Sequence, residues 1–353
     1  MEKLIPTIKK IAARISRTED QRKRLAAFLK EIAPQANLIK KPGPAELGSL
    51  RITAVDGGLV KRSLHGFDCA IVRAAAVCFH YQGSKVKRVE YWPSKSPVPV
   101  PEVLETLSDL DWAYAASMMR LREEVQTAIR CIDALKPDLL LLDGSIVPHY
   151  ADKPSKNSPS YPAYQQLIAS YQKLYQKAAE RGITLAGVIE DSRSTVFCNL
   201  VKSDILTKVQ HNLVPELVDL LLRTRDTNLL YLVLGRGERT SEFKYSSTPQ
   251  EHPVLKDLGS HSDKMSSFYL KTAEFDRPVK VDYLEPADPD RLAGLLLSIS
   301  GQHPGYGIPA PLIEADNVAK LSDTEMENFY SQILHLTGNA PSIMRLRREQ
   351  RPF

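Results

Sequence analysis

The sequence predicts an α/β protein built on a mixed sheet with flanking helices and a helical N-terminal extension. Three observations predict it. Short apolar runs of strand character recur along the chain, and longer stretches of helical periodicity separate them. The first 34 residues also set apolar side chains at helical spacing between lysines and arginines. With 353 residues, 43% of them hydrophobic and 25% charged, the chain has the composition of a folded protein with a sizeable core.

Each element follows in order. Leu4, Ile8, Ile11, Ile15, Leu25, Phe28, Leu29 and Ile32 form the apolar stripe of one or two helices, and residues 1–44 are expected to be an extension outside the core. The Pro and Gly of KKPGPAELGSL stop that helical pattern. A main domain then spans about 45–325. It begins with strands expected at 52–56, 67–81 and 86–92, joined by Gly-Gly and Gln-Gly-Ser turns into an antiparallel meander. The Pro-rich WPSKSPVPVPEV leads into a helix over about 102–135. The leucine run at 138–145 has the pattern of a strand covered on both faces.

A helix over 163–181, closed by Gly182, precedes a strand in ITLAGVIED, and helical pattern then continues to about 224. NLLYLVLG at 228–235 reads as a further strand. Residues 236–278 are polar and short of pattern, and are expected to be a mobile insertion. The strand PVKVDYLE, a helix over 288–300, the loop GQHPGYGIPAPL and a helix over about 312–321 complete the domain. Residues 326–353 are a C-terminal helix and a basic tail, RLRREQR.

Composition narrows the function classes. The net charge of +5, from 47 basic and 42 acidic residues, permits a nucleic-acid partner without requiring one. The four cysteines lie far apart with no C-x-x-C pair, so reduced core thiols are expected rather than a structural zinc site. Charge interrupts the N-terminal apolar residues every few positions, unlike a signal peptide, and no run reaches the ~20 apolar residues of a membrane span. A cytoplasmic location without a membrane partner is the expectation. GRGERT lacks the G-K-S/T ending of a phosphate-binding loop, and the serines after the Asp-Gly pairs have no His and Asp partners recognisable by pattern.

Three carboxylates stand out. Asp56 closes RITAVDGG and Asp143 closes LLLLDGS, each followed by a glycine that lets the backbone turn away at a strand tip. Glu124, in RLREEVQTAIRCI, lies beside the inward stripe of Leu121, Val125, Ala128, Ile129 and Ile132, whereas Glu123 leans away. A single Asp-Gly after an apolar run is an ordinary turn or cap. The order matters more: a strand with Asp, two more strands, a helix with Glu, then a strand with Asp is the order of the RNase H-like fold. A late helix in PLIEADNVAK adds Asp316, with Glu314 pointing elsewhere. Carboxylates from separate elements can clamp two Mg²⁺ or Mn²⁺ ions ~3.5–4 Å apart for phosphodiester hydrolysis.

AVDGG, the helical Glu upstream of LLLLDGS, GVIEDSRS and GYGIPAPLIEADNVAK together resemble the NurA nuclease family, over about residues 45–325. The resemblance implies an RNase H-like core and Mn²⁺- or Mg²⁺-dependent cleavage of DNA, as a single-strand endonuclease and an exonuclease on single-stranded and duplex ends. It also implies a homodimer, and partnership with the hexameric HerA translocase in DNA end resection, for repair or defence. Asp56, Glu124 and Asp143 match the family's acidic metal ligands. At the late motif the sequence departs from a common family pattern. Asp316 stands where a His follows P-L-x-x-A, and Ile308 where a Tyr stands, with Tyr306 two residues away. Asp316 keeps a ligand suited to a hard cation.

Other residues are weighed more evenly. The stretch Glu190-Asp191-Ser192-Arg193-Ser194 follows a strand and is placed to bring a further carboxylate and a phosphate-contacting Arg193 to the site, while Asp191 is expected rather to cap the following helix. Tyr306 and His303 are candidate DNA contacts beside the late motif, while His252 and His261 have no metal spacing. The basic tail either grips phosphates or is solvated. The rival reading is a non-catalytic RNase H-like adaptor that binds DNA on a translocase ring. It gives no reason to gather four like charges without a cation to offset their repulsion.

Overall fold

A computed structural model describes residues 4–347 apart from 33, 35, 106, 206–213 and 339. The N-terminal pattern forms one long helix, α1 (Ile5–Ile32), followed by the short strand β1 (Ile39–Lys40). The meander is β2 (Arg51–Ser63), β3 (Phe67–Gln82) and β4 (Lys85–Trp92). After it come β5 (Val100–Glu105), α2 (Asp109–Leu135), β6 (Leu139–Asp143), α3 (Tyr161–Glu180) and β7 (Thr184–Ile189). Helices α4 (Val196–Leu200), α5 (Val214–Leu222) and α6 (Asp226–Val233) lead to β8 (Arg239–Thr240), β9 (Phe243–Lys244), β10 (Met265–Leu270) and β11 (Val279–Leu284). Three helices close the chain: α7 (Pro289–Ile299), α8 (Ala310–Ala319) and α9 (Asp323–Thr337).

Among the described residues the strands form one mixed sheet in the order β1-β8-β10-β11-β7-β6-β2-β3-β4, with β5 also paired to β3 and β9 to β10. The β2-β6-β7 pairs are parallel and the meander is antiparallel. This is the RNase H-like arrangement, with an N-terminal helical extension. Alternate residues of the central strands feed two apolar layers. Val55, Leu140, Leu142 and Leu185 meet α2 and α3 on one face. Ile52, Ala54, Leu139, Leu141 and Val188 meet α7 and α8 on the other. A third cluster joins Leu25 and Leu29 of α1 to Phe197, Leu229 and Leu230 of α4 and α6.

Several expectations change. β2 does not end at Asp56 but runs on to Ser63, because Gly57 and Gly58 are extended and pair with Ala74 and Arg73. The predicted helix at 102–135 starts only at Asp109. Its first residues are β5, an edge strand where Pro101 is tolerated. NLLYLVLG is helical, as α6: a short apolar run cannot be assigned by periodicity alone, and Leu229, Leu230 and Val233 bury one helical face.

Residues 236–278 are not an insertion outside the sheet. β10 is buried at every position, and its polar Ser266 and Ser267 donate to Glu285 and Asp282, at 2.6 Å each. Those hydroxyls hide the strand from a hydropathy reading.

All four cysteines are free and buried. Among the described residues no helix is long and apolar enough to cross a membrane. Arg345, at the start of the basic tail, pairs with Glu327 and lies 4.9 Å over the Tyr330 ring, so this arginine is docked rather than solvated. Residues 348–353 of the tail lie outside the described residues.

Candidate metal centre

Asp56 and Asp143 are neighbours by register. The parallel β2-β6 ladder pairs Val55 with Leu142, which brings the next residue of each strand level on strands about 4.8 Å apart. Both carboxylates point to the face covered by α7 and α8, on the same side as Ala54 and Leu141. They are within hydrogen-bonding reach of each other, and Asp56 Oδ1 also accepts from Gly57 N at 2.6 Å. Burial raises both carboxyl pKa values, Asp143 to about 7, and the charge of Asp56 adds to the shift on Asp143. At Asp143 the strand does end, and Gly144 takes a φ of 95° that suits glycine.

Glu124 arrives from the opposite face. The α2 stripe packs on the layer of Val55 and Leu142, the side toward which Gly57 faces. A Cβ built on Gly57 would stand 3.3 Å from both the Cβ and the Oε2 of Glu124. The glycine pair therefore serves helix packing, and the missing side chain lets the Glu124 carboxylate lie against the β2 backbone. Glu124 is 2% exposed, and burial lifts its pKa to about 8, with Asp56 and Asp143 adding to the rise. Arg120, one turn earlier on α2, opposes that shift through an ion pair of 3.0 Å with Glu124 Oε2. Burial disfavours the Arg120 charge, but Glu124, Asp56 and Asp143 outweigh it and hold the guanidinium firmly protonated.

Asp316 lies exposed on α8, whose Leu312 and Ala315 pack on the Asp56 face, and its charge is felt at Asp56. The fit of α8 depends on Gly58, where a Cβ would fall 2.2 Å from the Ala319 carbonyl oxygen. Glu314 points elsewhere, accepting from the Tyr91 hydroxyl at 2.8 Å. Glu123 sits 3.6 Å from Arg122, turned from the cluster.

Glu190, just past β7, joins this group although it was not among the sequence's chosen ligands. Burial raises its pKa, and Asp191, Asp316, Asp276 and Asp56 add to the rise. The signal was its position two residues beyond Val188, the register partner of Asp143, which sets it on the same face. Arg120 was also overlooked, although its i,i+4 spacing to Glu124 is a familiar ion-pair pattern.

Among the other candidates, Tyr306 faces the cluster: burial and the charges of Glu190, Asp316, Asp143 and Asp276 all raise its phenol. His303 holds a turn, its Nδ1 accepting from Gly305 N at 3.1 Å, and is exposed. Arg193 is exposed, and its carbonyl accepts from Arg225. Asp191 does not cap α4; it pairs with Arg277 at 2.6 Å. Asp226 does that work instead, its carboxylate accepting from Phe197 N and Cys198 N at 3.1 and 2.9 Å.

The site thus grades from buried Glu124 and Asp56 to exposed Asp316 and Glu190, an open acidic mouth at one end of the parallel strands. Among the described residues no three His, Cys, Asp or Glu are set to hold one ion as they stand. The donor set is nonetheless hard oxygen from four separate elements, with Arg120 paired to Glu124 at its buried end. That chemistry suits Mg²⁺ or Mn²⁺ rather than a soft metal.

A family model described as the NurA domain matches residues 50–321. The chain is similar to the crystal structure of the NurA nuclease from Sulfolobus solfataricus, at 17% identity over 93% of this chain and 98% of that one, with a TM-score of 0.58. It is also similar to a crystal structure of NurA with manganese, at 14% identity over 94% and 98%, TM-score 0.51. A third similar structure is NurA bound to dAMP and manganese, at 14% identity over 94% and 97%, TM-score 0.50. No curated protein matches the chain.

Proposed function

The chain belongs to the NurA family, and from that premise we propose that it is a divalent-metal-dependent DNA nuclease acting on DNA ends. As a member of that family it is a phosphodiester hydrolase. The observation that carries the site assignment is the side-by-side placement of Asp56 and Asp143 at the mouth of the sheet, with Glu124 behind them.

Asp56, Glu124, Asp143 and Asp316 hold the metal, which relatives bound to manganese and dAMP support as Mn²⁺. Mn²⁺ or Mg²⁺, as two ions, supplies Lewis-acid polarisation of the phosphate and a nucleophile at neutral pH. The protein's part is to bring the oxygens together, at carboxyl groups whose raised pKa values mean that a bound cation would displace their protons. Asp56 is steadied by the Gly57 amide, and Arg120 offsets the buried charge of Glu124. Glu190 and Tyr306 face the exposed side of the cluster, where a phosphate and its sugar approach.

The test is degradation of end-labelled linear DNA with Mn²⁺ or Mg²⁺ by the parent, Asp56→Ala and Asp143→Ala, with thermal melts to show that the variants fold. Each substitution should reduce the rate at least about a hundredfold, as expected when a group essential to charge stabilisation is removed. Undiminished cutting by both variants would reject the site.

The finer family properties belong to the same proposal. Two copies of the chain act together with a HerA-type hexameric ATPase, which drives DNA to the nuclease during end resection. Co-purification with such an ATPase, and stimulation of cutting by ATP in its presence, are the corresponding measurements.

A further inference from the structure

Beside the acidic mouth, two loops are locked together and each presents an aromatic ring to solvent. The loop after β10 carries Phe275, 71% exposed, and the loop before α8 carries Tyr306, 45% exposed. Three hydrogen bonds join the loops. Phe275 N donates to Pro304 O at 2.8 Å, Gly307 N donates to Asp276 Oδ2 at 2.7 Å, and Thr272 Oγ1 donates to Gly307 O at 2.5 Å. The approach is tight, since a Cβ on Gly307 would fall 2.2 Å from Thr272 Oγ1. A third loop is tied in by the ion pair of Arg277 with Asp191, next to Glu190. The loop that carries Phe275 is therefore braced beside the Glu190 and Asp191 segment, while its ring packs into no apolar cluster among the described residues.

A phenyl ring on a braced loop beside the carboxylates offers a free aromatic face on which a base can stack. Bases inside a duplex are already stacked on both sides and offer only their edges, whereas an unpaired base offers a free face. We propose that Phe275 stacks on an unpaired base of the DNA strand entering the site, with Tyr306 on the adjoining turn, and so positions that strand at the carboxylates. The proposal rests on the nuclease reading above and adds the side chain that grips the strand there. A covering second copy of the chain is the competing occupant. The three loop-to-loop bonds, with the Arg277–Asp191 pair, favour the DNA strand, because they brace the Phe275 backbone against the segments that carry Tyr306 and Glu190.

The experiment crosses the side chain with the bases. Steady-state cleavage by the full chain with Mn²⁺ is measured on a short end-labelled single strand, and on the same strand with its bases removed near the cut. Phe275→Ala should lower kcat/KM on the intact strand about tenfold, about 1.4 kcal/mol, mostly through KM, and Phe275→Trp should restore it. On the base-free strand the parent should fall to the level of Phe275→Ala, and the variant should lose nothing further. An equal loss on both strands, or none on either, overturns the proposal. So does a change of oligomeric state in Phe275→Ala by light scattering, which would assign the ring to an interface. If the parent cuts neither strand with either metal, the failure belongs to the nuclease reading itself.

Discussion

Glu124 and Asp143 are two carboxyl groups that the fold keeps protonated far above the ordinary carboxylate range, at about 8 and about 7, chiefly through burial. The unfolded chain releases those protons near pH 4, so between about pH 4 and pH 8 the folded state binds more protons than the unfolded one. Stability from these groups is thus complete below the ordinary carboxylate pKa and is lost as pH rises through the raised values. The chelated protein should melt lower at about pH 8 than at about pH 5, and Mn²⁺ should recover most of the difference. Scanning fluorimetry with and without EDTA reads this directly; a profile that is flat in both conditions refutes it. Much of the cluster could be picked out from the chain, since Asp56, Glu124, Asp143 and Asp316 each lie on a recognisable strand or helix. Glu190 was harder to choose, because EDSR after a strand suits a cap as well as a ligand. Only the register against Asp143 separates the two roles.

Elements place those side chains through close backbone approach. α8 seats against β2 because Gly58 has no side chain, and the Ala319 carbonyl occupies the space. Gly58→Ala should push α8 outward, costing about 1 to 3 kcal/mol of stability and weakening Mn²⁺ binding by shifting Asp316. Thermal melts and calorimetric titration test this together, and unchanged stability and affinity would show that α8 is not held there. The same glycines show where pattern reading fails. Gly-Gly after an apolar run has the composition of a turn, and only the helices packed above and below β2 make it a strand interior. β10 was hidden because Ser266 and Ser267 are polar residues whose acceptors, Glu285 just past β11 and Asp282 within it, lie fifteen or more positions along the chain. α6 was misread as a strand because eight mostly apolar residues fit either period, and the deciding contacts are with α1.

At the scale of the molecule, α1 is divided between a seated half and a bare one. Leu25 and Leu29 are buried against α4 and α6, whereas Leu4, Ile8, Ile11 and Ile15 are each more than half exposed. Removing residues 1–16 should therefore change stability by no more than about 0.5 kcal/mol. Leu29→Ala should cost about 2 to 5 kcal/mol. Denaturant titration compares them, and a truncation as damaging as Leu29→Ala would mean that the bare stripe is packed in solution. The general architecture was legible, because the succession of strands and helices follows from hydrophobic period over long stretches and matches the RNase H-like order; what escaped depended on partners remote in sequence. One such partnership reaches furthest. A sheet ordinarily insulates the layers on its two sides, but at Gly57 it has a window through which a charge on α2 looks into the acidic mouth. The phenol of Tyr171 on α3 already registers Glu124 from behind that window. Repacking the rear layer should then retune the front of the site without touching any of the carboxylates there.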